Sequence, residues 1–127
     1  MNSIVLDSSA VLALLLGEPG GDRVDAIRHR AVMSTVNVCE VLTRLVDMGY
    51  GMKRAEAAFA DLDIAQSPFD RADASAAADL RSGTRTSGLS LGDRACLALA
   101  RRGQWPVVTS DRAWLEVGVG LEIQLIR

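Results

Sequence analysis

Three branched apolar residues, Ile4-Val5-Leu6, stop at Asp7, and after Ser8 and Ser9 an apolar run extends from Ala10 to Leu16. The pattern predicts a short buried strand, a turn whose two hydroxyls can cap, and a helix. Gly17-Glu18-Pro19-Gly20-Gly21 is a break, followed by a second helix from about Asp22 to His29. Ala31-Val32-Met33-Ser34 reads as a second strand, and Ser34 or Thr35 caps a helix running to about Met48. Gly49 and Gly51 end that helix, and Met52 to Leu62 reads as its antiparallel partner. Ile64-Ala65-Gln66 is a weak strand. Asp70 to Arg81 is an alanine-rich helix with Ala72, Ala76 and Leu80 on one stripe, and Gly83 to Gly88 a polar loop. A helix from Leu91 to Arg102 stops at Gly103; Pro106 to Thr109 is a strand, Asp111 to Glu116 a short helix and Leu121 to Ile126 a last strand. Strands alternating with helices predict one α/β domain over residues 1–127, its mostly parallel sheet covered on both faces.

A strand that ends at an acid and turns into a helix puts that acid at the carboxyl edge of the sheet, where open α/β sheets bind ligands. Asp7 does this, and Asp111, after Val108-Thr109-Ser110, repeats the junction. An ordinary N-cap is the plainer account of Asp111 alone and an equally good one of Asp7; the repetition raises the functional one. Asp93 shares a helical face with Cys96, Leu97 and Ala100, whereas Arg94, Arg101 and Arg102 fall on the other side. A bare charge on a packed stripe is costly, so Asp93 needs a cation or hydrogen-bond donors. Ser90-Leu91-Gly92-Asp93 also fits a capping box, and the two roles are compatible. Glu40 projects nearly opposite the stripe of Val38, Val41, Leu42 and Leu45, which makes it a surface residue by periodicity, although Asn37, Glu40 and Thr43 form a polar group able to face a cleft. The other twelve acids read as solvated faces or caps.

Composition narrows the chemistry. With 127 residues, 49% hydrophobic and 24% charged, the chain has the balance of a soluble globular protein. No apolar run approaches the roughly 20 residues of a membrane span, and Met1-Asn2-Ser3 lacks a basic leader, so a cytoplasmic location is expected. Cys39 and Cys96 belong to no CxxC pair and read as reduced, packed thiols. His29 is the single histidine, so hydrolysis here would run on carboxylates. A net charge of -2 argues against blanket attraction to nucleic acid. Lys53 is the one lysine among fourteen basic residues. The aromatics Phe59, Phe69, Trp105 and Trp114 read as packing rather than base-stacking platforms.

Taken together, Ile4-Val5-Leu6-Asp7-Ser8-Ser9-Ala10, Asn37-Val38-Cys39-Glu40-Val41, Leu89 to Ala100 and Val108-Thr109-Ser110-Asp111 resemble a PIN domain, and more narrowly the VapC toxins of bacterial toxin–antitoxin pairs. Leu89-Ser90-Leu91-Gly92-Asp93 is the most specific piece. The resemblance implies a PIN-like three-layer α/β/α fold and a site of four acids, Asp7, Glu40, Asp93 and Asp111, against the surface reading of Glu40. It implies Mg²⁺ or Mn²⁺ as cofactor, RNA as substrate, and products carrying a 5′-phosphate and a 3′-hydroxyl. Ser9 and Thr109 occupy positions of supporting hydroxyls. A homodimer and a cognate antitoxin blocking the site are implied as partners. Arg81, Arg85, Arg94 and Arg112 are candidates by sequence proximity to hold flanking phosphates, with solubilising surface arginines as the alternative. The helix from Ala10 to Leu16 and the pair from Val36 to Leu62 offer partner surface, core packing being the simpler account.

Two other classes stand beside this one. A PIN-like module that binds metal or RNA without turnover would carry the same residues. A receiver-like signalling module also gathers acids at strand ends, but it wants a lysine beside them, and Lys53 lies in a predicted helix elsewhere.

Overall fold

The computed structural model describes residues 3–127; Met1 and Asn2, which entered the reading of the N-terminus, lie outside the described residues. Five strands, β1 (Ile4–Leu6), β2 (Ala31–Ser34), β3 (Ala65–Ser67), β4 (Val107–Thr109) and β5 (Ile123–Leu125), form one sheet in the order β3-β2-β1-β4-β5. Every pairing is parallel. Six helices cover it: α1 (Ser8–Leu15), α2 (Gly21–Ile27), α3 (Thr35–Asp47), α4 (Met52–Ala60), α5 (Arg71–Thr84) and α6 (Leu91–Gly103).

Alternation along the strands sorts the chain into layers. Ile4 and Leu6 of β1, Ala31 and Met33 of β2 and Val108 of β4 point into a core shared with α1 to α4. Val5 and Val107 point the other way, against Ala77 and Leu80 of α5 and the buried face of α6. The result is the expected three-layer α/β/α sandwich, with strands buried on both faces as parallel sheets require. The chain steps outward from β1 through β2 to β3 and then returns to β4 on the opposite side of β1. That reversal sets the carboxyl ends of β1 and β4 side by side, with Asp7 and Asp111 just beyond them, the place where open α/β sheets bind ligands.

Several local expectations are corrected. Asp7 itself caps α1, accepting from the Ala10 amide, so the helix starts at Ser8 instead of being capped by the serines. α2 ends at Ile27 and tightens into a 3-10 turn over Arg28–Arg30. In place of a loop from Gly83, α5 continues to Thr84 and a 3-10 turn spans Arg85–Ser87. The buried side of α5 is Asp73, Ala77, Leu80 and Thr84, one position away from the Ala72–Ala76 stripe; Ala72 is exposed. Alanines mark a helical face weakly, and here a carboxylate decides the rotation. Asp73 completes a capping box with Asp70 and accepts from Arg102 on α6 at 2.9 Å. Cys39 is exposed rather than packed, while Cys96 is fully buried. The first helix and the α3–α4 pair do pack into the core, but Val46, Met48 and Met52 near the turn between α3 and α4 remain exposed. Among the described residues, no helix is long and apolar enough to cross a membrane.

Candidate functional site

Asp7 sits at the end of β1 with only 5% of its surface exposed. Its Oδ1 accepts from the Ala10 amide at 2.9 Å, its Oδ2 accepts from the Thr109 hydroxyl at 2.6 Å, and the Ser9 hydroxyl lies 2.8 and 2.9 Å from the two oxygens. The hydroxyls are themselves oriented by β4: the Ser110 amide donates to Ser9 Oγ, and the Asp111 amide to Thr109 Oγ1, each at 3.0 Å. Two backbone amides thus feed two hydroxyls that feed one carboxylate, a polarised network stitching β1 to β4. Burial nevertheless pushes the Asp7 carboxyl up to about 6, against the pull of those hydrogen bonds and with help from the charge of Asp93.

Asp93, in the first turn of α6, completes the predicted capping box. Its Oδ2 accepts from the Ser90 amide at 2.9 Å while its own amide donates to Ser90 Oγ at 3.1 Å. It is half-buried and close enough to Asp7 to raise its pKa.

Glu40 is not on a solvated face. It is half-buried, and its Oε1 accepts from Asn37 Nδ2 at 2.8 Å. The other proton of that amide goes to the carbonyl of Gly92, 3.0 Å away on α6. Periodicity within α3 registers the stripe facing the sheet and misses a second covered side, where α6 crosses. Gly92 has no Cβ, and one placed there would collide with the Glu40 carboxylate.

Asp111 is exposed and caps the 3-10 turn Arg112–Glu116, its Oδ1 accepting from the Ala113 amide at 3.0 Å. Its amide links it through Thr109 to Asp7. Beneath the acids lies Cys96, whose thiol is pushed well up by burial and then by the charges of Asp7, Asp93 and Glu40. One buried atom thus feels three of the four acids. Asn37, Gly92 and Cys96 were not singled out from the sequence for this role, although the i, i+3 spacing of Asn37 and Glu40 was a usable signal.

The basic candidates divide. Arg81, Arg85 and Arg112 are exposed. Arg94 is half-buried, contrary to its assignment to the solvated side of α6, and donates to the Ala77 carbonyl of α5 at 3.0 Å. Lys53 is exposed on α4. Among the described residues, ion pairs join Arg28 to Asp25, Arg102 to Asp73 and Arg127 to Glu18, and none involves the four acids.

A family profile described as the PIN domain matches residues 4–120. The chain belongs to the PIN domain family. Solved structures agree with this PIN domain in fold. VapBC from Salmonella typhimurium, solved bound to DNA, superposes with a TM-score of 0.77 at 17% identity over 100% of both chains. VapBC-5 from Mycobacterium tuberculosis gives 0.66 at 23% identity, covering 100% of this chain and 99% of that one. FitAcB from Neisseria gonorrhoeae gives 0.65 at 22%, covering 94% and 95%. Curated proteins provide no match.

The PIN domain's donor set fits a hard divalent cation in chemistry and in charge. All its ligand candidates are carboxylate oxygens, and among the described residues none of the four acids is ion-paired to a basic side chain. As they stand, no three acidic, cysteine or histidine side chains among the described residues are grouped as a metal site. One oxygen each of Asp93, Asp111 and Glu40 is turned onto a nearby amide. Those bonds leave the other oxygen of each, Asp93 Oδ1, Asp111 Oδ2 and Glu40 Oε2, outside these hydrogen bonds.

Proposed function

We propose that this PIN domain is a Mg²⁺- or Mn²⁺-dependent endoribonuclease, the toxin of a type II toxin–antitoxin pair. PIN domains are generally nucleases, which supports a hydrolase role. The observation that carries the reading is the hydrogen-bonded seating of the acids at the sheet's topological switch point: Asp7 is joined through the Thr109 hydroxyl to Asp111, and Glu40 is tied through Asn37 to Gly92, the residue before Asp93. Carboxylates so placed repel one another, and a cation relieves that repulsion.

Asp7, Glu40, Asp93 and Asp111 are the residues to hold the ion. A divalent cation supplies a more acidic bound water and charge stabilisation on the leaving oxygen. The remaining work belongs to the chain. Thr109 and Ser9 fix both oxygens of Asp7, Ser90 fixes one oxygen of Asp93, and the amide of Ala113 fixes one of Asp111. Arg81, Arg85 and Arg112 stand free to neutralise flanking RNA phosphates. With one guanidinium nitrogen committed to α5, Arg94 is the weakest of the four for that task. The similar VapBC structures support an antitoxin partner, and the exposed Val46, Met48 and Met52 provide apolar surface for one or for a second copy of the chain.

The experiment is to map RNA 5′ ends after induced expression of wild type and of Asp93→Asn. New ends should appear with wild type alone, and growth should be inhibited by wild type alone. Growth inhibition that survives Asp7→Asn and Asp93→Asn, with no RNA cut by the purified metal-loaded protein, would sink the proposal. The side chains turned onto caps favour one rival, a PIN module that binds without turnover. Manganese uptake by calorimetry without cleavage of any cellular RNA is the result that would select it.

A further inference from the structure

The geometry points to Asn37 as a positioning residue that, together with the bare Cα of Gly92, seats Glu40 in the carboxylate cluster and ties α3 to the turn of α6 that carries Asp93. The inference rests on the metal-site reading above.

Asn37 is 1% exposed, in the first turn of α3 and one turn before Glu40. A buried side-chain amide in a helix needs a reason, because desolvating it costs free energy unless both ends are paired. Here one end is. Nδ2 divides its two protons between Glu40 Oε1 at 2.8 Å and the Gly92 carbonyl at 3.0 Å. Oδ1 is buried without a hydrogen-bond partner. An unsatisfied buried acceptor destabilises the fold, so a site filled for stability alone would be better served by an apolar side chain. What asparagine supplies is a neutral, two-pronged donor that bridges an acid and a neighbouring helix.

Gly92 completes the seat from the other side. The Glu40 carboxylate occupies the space where any Cβ at 92 would stand. Asp93 follows Gly92 directly, so the contact that holds Glu40 also sets the spacing between Glu40 and Asp93. Asn37 touches neither substrate nor ion. It acts through Glu40.

The test is Mn²⁺ affinity by calorimetry, with folding checked by circular dichroism. Asn37→Ala should weaken Mn²⁺ binding by about tenfold to a hundredfold, the usual effect of removing a partner of a metal ligand. In a Glu40→Gln background the same substitution should cost no more than about twofold, because residues acting through one another are not additive. Equal losses in both backgrounds would reduce Asn37 to a structural residue, and an unchanged affinity in folded Asn37→Ala would overturn the seat outright. If Asn37→Ala does not fold, Gly92→Ala carries the test. Alanine favours the helix, so this variant should fold and lose affinity by displacing Glu40, and unchanged affinity there also overturns the seat. Wild type that binds Mn²⁺ but cuts no RNA overturns the nuclease reading alone. Wild type that takes up no Mn²⁺ overturns both.

Discussion

Asp7 is an acid held in a place that disfavours its charge. Burial raises its pKa from 3.8 to about 6, so between those values the folded chain holds a proton that the unfolded chain releases. Stability from this residue is therefore fully present below about pH 4 and falls as pH rises through 6, by about 3 kcal/mol at one pKa unit per 1.36 kcal/mol. Asp7→Asn removes the titration, and its amide oxygen can still accept from the Ala10 amide. Denaturant melts of the metal-free protein should find the variant more stable than wild type above pH 6 and the two converging toward about pH 4. A stability gap that does not change with pH would contradict the assignment. Asp7 and Asp111 were readable in the sequence because a strand stops abruptly at each. Glu40 was not, because the group that defines its position, Gly92, lies 52 residues on, on another helix. Only the family resemblance moved it into the site.

At the scale of elements, the helices most legible in the sequence are those with one strongly apolar face. α6 buries Cys96, Leu97 and Ala100 as its spacing predicted. α5, built largely of alanine, was set one position off because a polar contact fixes it. Arg102 donates to Asp73 of α5 and to Ser67 of β3, at 2.9 and 2.8 Å, and so fastens α6 to both. Its neighbour Arg101 is exposed. Arg102→Ala leaves a nearly buried carboxylate without its cation and should cost about 1–2 kcal/mol, a drop of several degrees in Tm. Arg101→Ala should stay within about 0.5 kcal/mol, as surface substitutions do. Thermal melts of the pair separate a helix clamp from a merely solubilising arginine, and equal Tm values for the two variants would remove the clamp.

For the whole molecule, the sequence yielded the alternation of strands and helices but not the order of the strands, since nothing local says on which side of β1 the fourth strand returns. That return positions the candidate site: it sets β4 against β1, so Thr109 meets Asp7, the N-cap of α1, and its neighbour Asp111 caps the 3-10 turn that follows β4. The fold thereby concentrates negative charge in a chain whose net charge is only -2. A cation that binds the folded chain and not the unfolded one adds stability as RT ln(1 + [L]/Kd), about 2.7 kcal/mol at a hundred times Kd. On the proposed ligand set Asp7 must give up its proton for the ion to bind, so the gain is coupled to pH. Added Mn²⁺ should raise the Tm of wild type strongly above pH 6, where Asp7 is ionised in the fold, and much less near about pH 5, where the ion must displace a proton. Asp93→Asn should lose most of the rise while keeping its metal-free Tm within a few degrees, because an asparagine can still accept from the Ser90 amide. A rise that is the same at both pH values would mean that Mn²⁺ binds away from Asp7, and a rise that persists in Asp93→Asn would take the ion away from the α6 acid as well.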